Sequence, residues 1–161
     1  MSSFDRRSLL ILPLALAACG FTPVYGPGGT GSALRGRVQV QEPDAPDDYI
    51  LVRTLEDRLG RAQAPAYALS YTLATRTEGQ AVTATGETTR YSLVGQVDYA
   101  LTDLETGNVV ASGKVQNFTG YSATGSTVET LSGERDARER LMTILADQIV
   151  TRLYATADLP A

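Results

Sequence analysis

The side chains able to do chemistry are few in this chain, and their spacing limits them further. There is one cysteine, Cys19, and no histidine. Without His, no His-based triad, His-ligated metal site or imidazole acid/base can be built. Carboxylates remain, and two of them on one face could act as a general acid and base. Asp98, Asp103 and Glu105 lie near one another in sequence. Asp98 and Asp103 have opposite parity on one expected strand, so they should point to opposite faces. Gly26, Gly28 and Gly31 spell G-x-G-x-x-G. A dinucleotide site needs that motif between a strand and a helix, whereas here it leads towards a strand. The expectation is a protein without catalysis, metal or dinucleotide.

Cys19 has a different chemistry available. It follows Leu16-Ala17-Ala18 at the end of an apolar run, Leu9 to Ala18, which is preceded by Arg6-Arg7. Ten residues are too few to span a bilayer, which takes about 20, but they suit the apolar core of an export signal. The Leu-Ala-Ala-Cys sequence resembles a bacterial lipobox. That resemblance implies a diacylglyceryl group on Cys19, cleavage after Ala18 and acylation of the new amino terminus. No thiol then remains for a nucleophile or a Cys-ligated zinc. Ser8-Leu9-Leu10 after Arg6-Arg7 also resembles a twin-arginine signal, so both export routes stay open. Gly20 after the anchor is compatible with passage to the outer membrane. Residues 1–18 are thus read as the signal peptide and 19–33, rich in Gly, as a lipid-anchored flexible linker. No cofactor is expected beyond the covalent lipid.

The elements that must carry the rest follow from composition and periodicity. The 161 residues are 43% hydrophobic and 20% charged, ordinary for a globular chain. Residues 19–161 hold 12 basic and 17 acidic residues, a net charge of −5, with Lys114 the single lysine. Nucleic-acid binding needs many cationic phosphate contacts and is not expected.

Arg35 to Gln41 alternates as a short strand. Glu42 to Pro46 breaks it, and Asp47 or Asp48 should cap a helix to Leu59, with Ile50, Leu51, Leu55 and Leu59 on one face and Gly60 at its end. Ala66 to Thr77 alternates with Tyr67, Leu69, Tyr71 and Leu73 in step. Glu78-Gly79-Gln80 reads as a turn, with Ala81 to Thr85 weakly extended. Arg90 to Leu104 is the clearest strand, and Glu105 to Asn108 a hairpin turn into Val109 to Tyr121. Ser122 to Gly133 reads as irregular. A long helix should run from about Glu134 to Ala155. The order β-α-β-β-β-α predicts an α+β two-layer sandwich over residues 34–161, a mixed four-stranded sheet with two helices on one face. Its other face should be small and polar, with Ala68, Ser70, Thr72, Ser92, Asp98, Ser112, Lys114 and Gln116 among its residues.

Cys19-Gly20-Phe21-Thr22-Pro23-Val24-Tyr25-Gly26, together with this element order, resembles the LptE family of lipopolysaccharide-assembly lipoproteins in its alphaproteobacterial form. The resemblance implies an outer-membrane lipoprotein on the periplasmic side. Its partner would be the large β-barrel LptD, whose lumen it plugs, and it would help to assemble that barrel and to deliver lipopolysaccharide to the outer leaflet. It also implies lipopolysaccharide contact through basic residues, for which Arg76, Arg90 and Lys114 are the candidates in or beside strands. The competing reading is an accessory lipoprotein of an ABC-type lipid transport system.

Overall fold

The computed structural model describes residues 23–82, 86 and 88–159. Cys19 and the signal segment lie outside them. Three helices and four strands follow in order: α1 Thr30–Leu34, β1 Val38–Val40, α2 Pro46–Leu59, β2 Tyr67–Val82, β3 Thr88–Asp103, β4 Val109–Ser122 and α3 Thr127–Thr156. The sheet order is β1-β2-β3-β4, with β1 and β2 parallel and the other pairs antiparallel. This is the expected α+β arrangement, with one short helix added.

The core forms where the odd-numbered sheet face meets the helices. Leu69 of β2, Leu93, Val97 and Leu101 of β3 and Val115 of β4 pack with Leu51, Leu55 and Leu59 of α2 and with Leu141, Leu145, Ile149 and Leu153 of α3. Each such side chain contributes about 1.5–3 kcal/mol by leaving water. At Gly95 the helix comes so close that an added Cβ would lie 2.9 Å from Leu145 and 3.0 Å from Leu141. Glycine there sets how near α3 can approach the sheet. Gly60 ends α2 at φ +79°, a conformation that other residues rarely adopt.

Several boundaries depart from the sequence pattern. Glu78-Gly79-Gln80 is not a turn, because β2 runs on to Val82 with shifts of register after Gly79. Gly79 keeps a negative φ, so it loosens the ladder without reversing it. The cap of α2 is Ala45, with Pro46 in the first turn and Asp47 and Asp48 inside that turn. Pro suits this place because its missing N–H has no helical acceptor there, and the two carboxylates favour the positive end of the helix.

The last helix starts seven residues earlier than its apolar spacing suggests. Ser126 accepts from the Glu129 N–H, and Glu129 reaches back to the Ser126 N–H at 2.7 Å, a capping box. Residues 127–136 bury nothing, so no apolar period announces them.

The described part of the expected linker is folded. The Gly31 N–H donates to the Val24 carbonyl at 2.9 Å, Leu34 is fully buried, and the ring of Tyr25 meets that of Tyr154 edge-on at 5.7 Å. An added Cβ at Gly29 would lie 2.3 Å from the Val24 oxygen. These glycines serve close packing, not looseness. The described residues from Pro23 to Leu34 are therefore folded back, with Tyr25 seated on the end of α3.

The fold has two unequal halves. Burial on β2 stops at Leu73, and residues 74–80 are exposed. Burial on α3 begins only at Ala137. Beyond those points the β2–β3 hairpin and the first third of α3 stand clear of α2.

Candidate interaction surface

Strand alternation decides which residues share the open side of the sheet. Even-numbered positions face away from the helices along β2 as far as Glu78, along β3, and along β4 from Ser112 onward. The register aligns Arg76 with Val94 and Phe118 in one row, and Thr72 with Asp98 and Lys114 in another. Arg90 stands opposite Ser122. The three cations singled out by sequence thus lie on one face. They do not form one site, because their rows are four residues apart along β3, about 13 Å at about 3.3 Å per residue. That exceeds the screening length of about 8 Å at physiological salt.

Their pairing separates them further. Arg76 Nε meets Glu78 Oε1 at 2.7 Å, and Lys114 Nζ meets Asp98 Oδ1 at 3.3 Å. Gln96 also donates to Asp98 at 3.0 Å. Both ion pairs are exposed and worth little to stability. Arg90 makes no ion pair among the described residues. The face is also less polar than its sequence suggests. Phe118 is 67% exposed, and it helps to cover Val94, which is only 8% exposed although it points away from the core.

The carboxylates confirm the parity argument. Asp98 sits on the open face, while Asp103, five residues on and the last residue of β3, is buried on the opposite face. There Asp103 Oδ1 accepts from the N–H groups of Thr106 and Glu105 at 2.8 and 2.9 Å and from the Thr106 hydroxyl at 3.1 Å. The Thr106 amide above all holds this carboxyl below its ordinary range, against the effect of burial. It is a turn-forming group, and no second carboxylate faces it among its bonding partners.

By its composition alone, the charged side of α3 would pass for a solvated surface. Much of it instead fastens the two long helices together. Arg53 meets Glu139 at 3.1 Å, Arg58 meets Asp147 at 2.8 Å, and Arg138 meets Asp47 at 2.8 Å and Glu134 at 2.7 Å. Opposite charges at matched heights on two helices were the available signal.

The two sheet edges also differ. Along β4, outward backbone groups are occupied from several directions. The Asp158 N–H donates to the Val110 carbonyl at 3.0 Å, Arg152 to Lys114 at 2.7 Å, and Arg140 to Gly120 at 3.3 Å. Asn117 Oδ1 accepts from the Phe118 N–H at 2.8 Å. Long, unpaired strand edges invite association, and such capping blunts them.

The sequence pattern of the LptE family, described as lipopolysaccharide-assembly, matches residues 35–153. The chain belongs to the LptE family. That match covers the sheet, α2 and α3 as far as Leu153. Solved structures share the LptE-like fold at low identity. A lipoprotein from Caulobacter crescentus is 22% identical with a TM-score of 0.64, covering 78% of this chain and 93% of its own. A minor lipoprotein from Acinetobacter baumannii is 18% identical with a TM-score of 0.59, covering 78% and 97%. The rare lipoprotein B from Shewanella oneidensis is 14% identical with a TM-score of 0.58, covering 74% and 93%. No curated protein sequence matches significantly. Among the described residues no helix is long and apolar enough to cross a membrane.

Proposed function

We propose that this LptE-family chain is an outer-membrane lipoprotein, anchored through Cys19 on the periplasmic side. In this reading it occupies the lumen of an LptD-type β-barrel, helps that barrel to assemble, and supports the insertion of lipopolysaccharide into the outer leaflet. The family match over residues 35–153 carries the reading. Two features of the fold support it. Apart from the Val94–Phe118 pair, the open sheet face is mostly small and polar, which suits the polar interior of a large barrel. The exposed residues 74–80 of β2 and the first turns of α3, which lie beyond the packing with α2, form the end that would enter such a lumen. Lipopolysaccharide contact through Arg76, Arg90 or Lys114 belongs to this proposal, with Arg90 the one of the three that makes no ion pair among the described residues. The role requires no catalysis and no cofactor.

Crosslinking in outer membranes, followed by identification of the partner, tests this. A large β-barrel is expected. Recovery of inner-membrane transport components instead would favour an ABC-system accessory role and overturn the barrel reading.

A further inference from the structure

The outer edge of β2 is the counterpart of the capped β4 edge. Its odd-numbered residues point their backbone groups towards β1. The Tyr67 N–H donates to the Arg37 carbonyl, the Gln41 N–H donates to Leu69 at 2.9 Å, and Gln41 Oε1 then accepts from the Tyr71 N–H at 3.3 Å. With that side chain the lane of β1 ends, because β1 is three residues long and the chain turns away into α2. Strand β2 continues for eleven more residues. The outward N–H and C=O groups of Leu73, Thr75 and Thr77 meet no partner among the described residues. Thr75 and Thr77 are exposed.

A groove of about 400 Å³ lies beside this edge on the helix side. Leu73 and Thr75 border it, together with Pro46, Asp47 and Asp48 of α2 and Arg138 of α3. The side chains of a strand laid beside β2 would alternate between this groove and the open face. Its charge is one-sided. Asp47 and Asp48 flank the groove, Glu42 and Asp44 lie on the segment leaving β1, and Arg138 is already held by Asp47 and Glu134.

We propose that the β2 edge from Leu73 to Thr77 receives an extended, basic segment of a partner polypeptide, which continues the lane of β1. Backbone hydrogen bonds supply the general affinity of such strand addition, and alternate side chains supply selectivity. The acidic surround selects Lys and Arg over Asp and Glu. This inference does not depend on which protein is the partner. Its test contains neither barrel nor lipid, so its failure would leave the proposed function standing.

The test is amide hydrogen exchange by NMR on the purified chain with three end-capped octapeptides. One alternates Lys and Val, one alternates Glu and Val, and one is the Lys–Val peptide N-methylated at alternate residues. The Lys–Val peptide should slow exchange at Leu73, Thr75 and Thr77 at least tenfold, leave Gln116 of β4 unchanged, and lose its effect as salt is raised. Thr75→Pro removes one outward donor from an edge position where proline is tolerated. It should abolish the protection while exchange at Leu145 stays slow, which shows that the core is intact. Should Thr75→Pro unfold the chain, the N-methylated peptide makes the same comparison on the unaltered protein. Equal protection by the Glu–Val or the N-methylated peptide, protection at β4, or none at saturation would overturn the proposal. So would protection that rises with protein concentration alone, since that would assign the edge to a second copy.

Discussion

Arg138 of α3 reaches Asp47 in the first turn of α2, Nη1 to Oδ2 at 2.8 Å, while its Nη2 holds Glu134 at 2.7 Å. The Asp47 side chain is only 17% exposed. Removing the cation therefore leaves a partly buried carboxylate without its partner. Arg138→Met should lower stability by about 1–3 kcal/mol, read as a reduced urea midpoint at unchanged m-value. Arg53→Met, which breaks the exposed pair with Glu139, should cost less than about 1 kcal/mol. Equal losses would mean that burial of Asp47 does not set the difference.

Gly95 lies under α3 with no room for a side chain. Gly95→Ala must push Leu141 and Leu145 aside, and overpacking of this kind costs about 1–3 kcal/mol. The same change at Gly107, where nothing lies within 4 Å but φ is +73°, strains the backbone alone. Thermal melts of the two variants separate packing from conformation. A loss at Gly95 that Leu145→Ala partly restores would identify steric crowding as its origin.

Asp103 gives a pH dependence of known sign. Its folded-state pKa is lowered, chiefly by the Thr106 amide. The stabilisation is therefore complete above the ordinary carboxylate range and disappears as pH falls through the lowered value. Asp103→Asn should be less stable than the parent at neutral pH and should lose less on acidification. Urea midpoints measured from about pH 7 to about pH 3 give both profiles. Parallel profiles would show that the turn does not rely on the charge.

Cys19→Ala should abolish acyl labelling and release the protein from membranes, while its melting curve stays unchanged. Firm membrane association without the cysteine would show that another part of the chain holds it there.

The periodic parts of the fold were readable because tertiary burial and local pattern agree in them. Tyr67, Leu69 and Tyr71 alternate and are buried, and Leu141, Leu145 and Ile149 repeat at helical spacing and are buried. Reading failed where structure is held by something other than an apolar stripe. The first turns of α3 rest on Ser126 and Glu129, and α1 rests on glycines that admit the Val24 carbonyl. Gly79 carries a turn composition but sits in a strand. For function, parity placed Arg76, Arg90 and Lys114 on one face, yet only the register reveals their separation. The pairing of Lys114 with Asp98 depends on strand order, which no single strand records.

The unequal edges also limit self-assembly. An endless β-ribbon requires each molecule to offer two usable edges, so that the β2 side of one copy meets the β4 side of the next. Arg140, Arg152 and Asp158 obstruct the second of these. Pairing between copies through these two edges is then confined to β2 against β2, a twofold contact that consumes both and stops at a dimer.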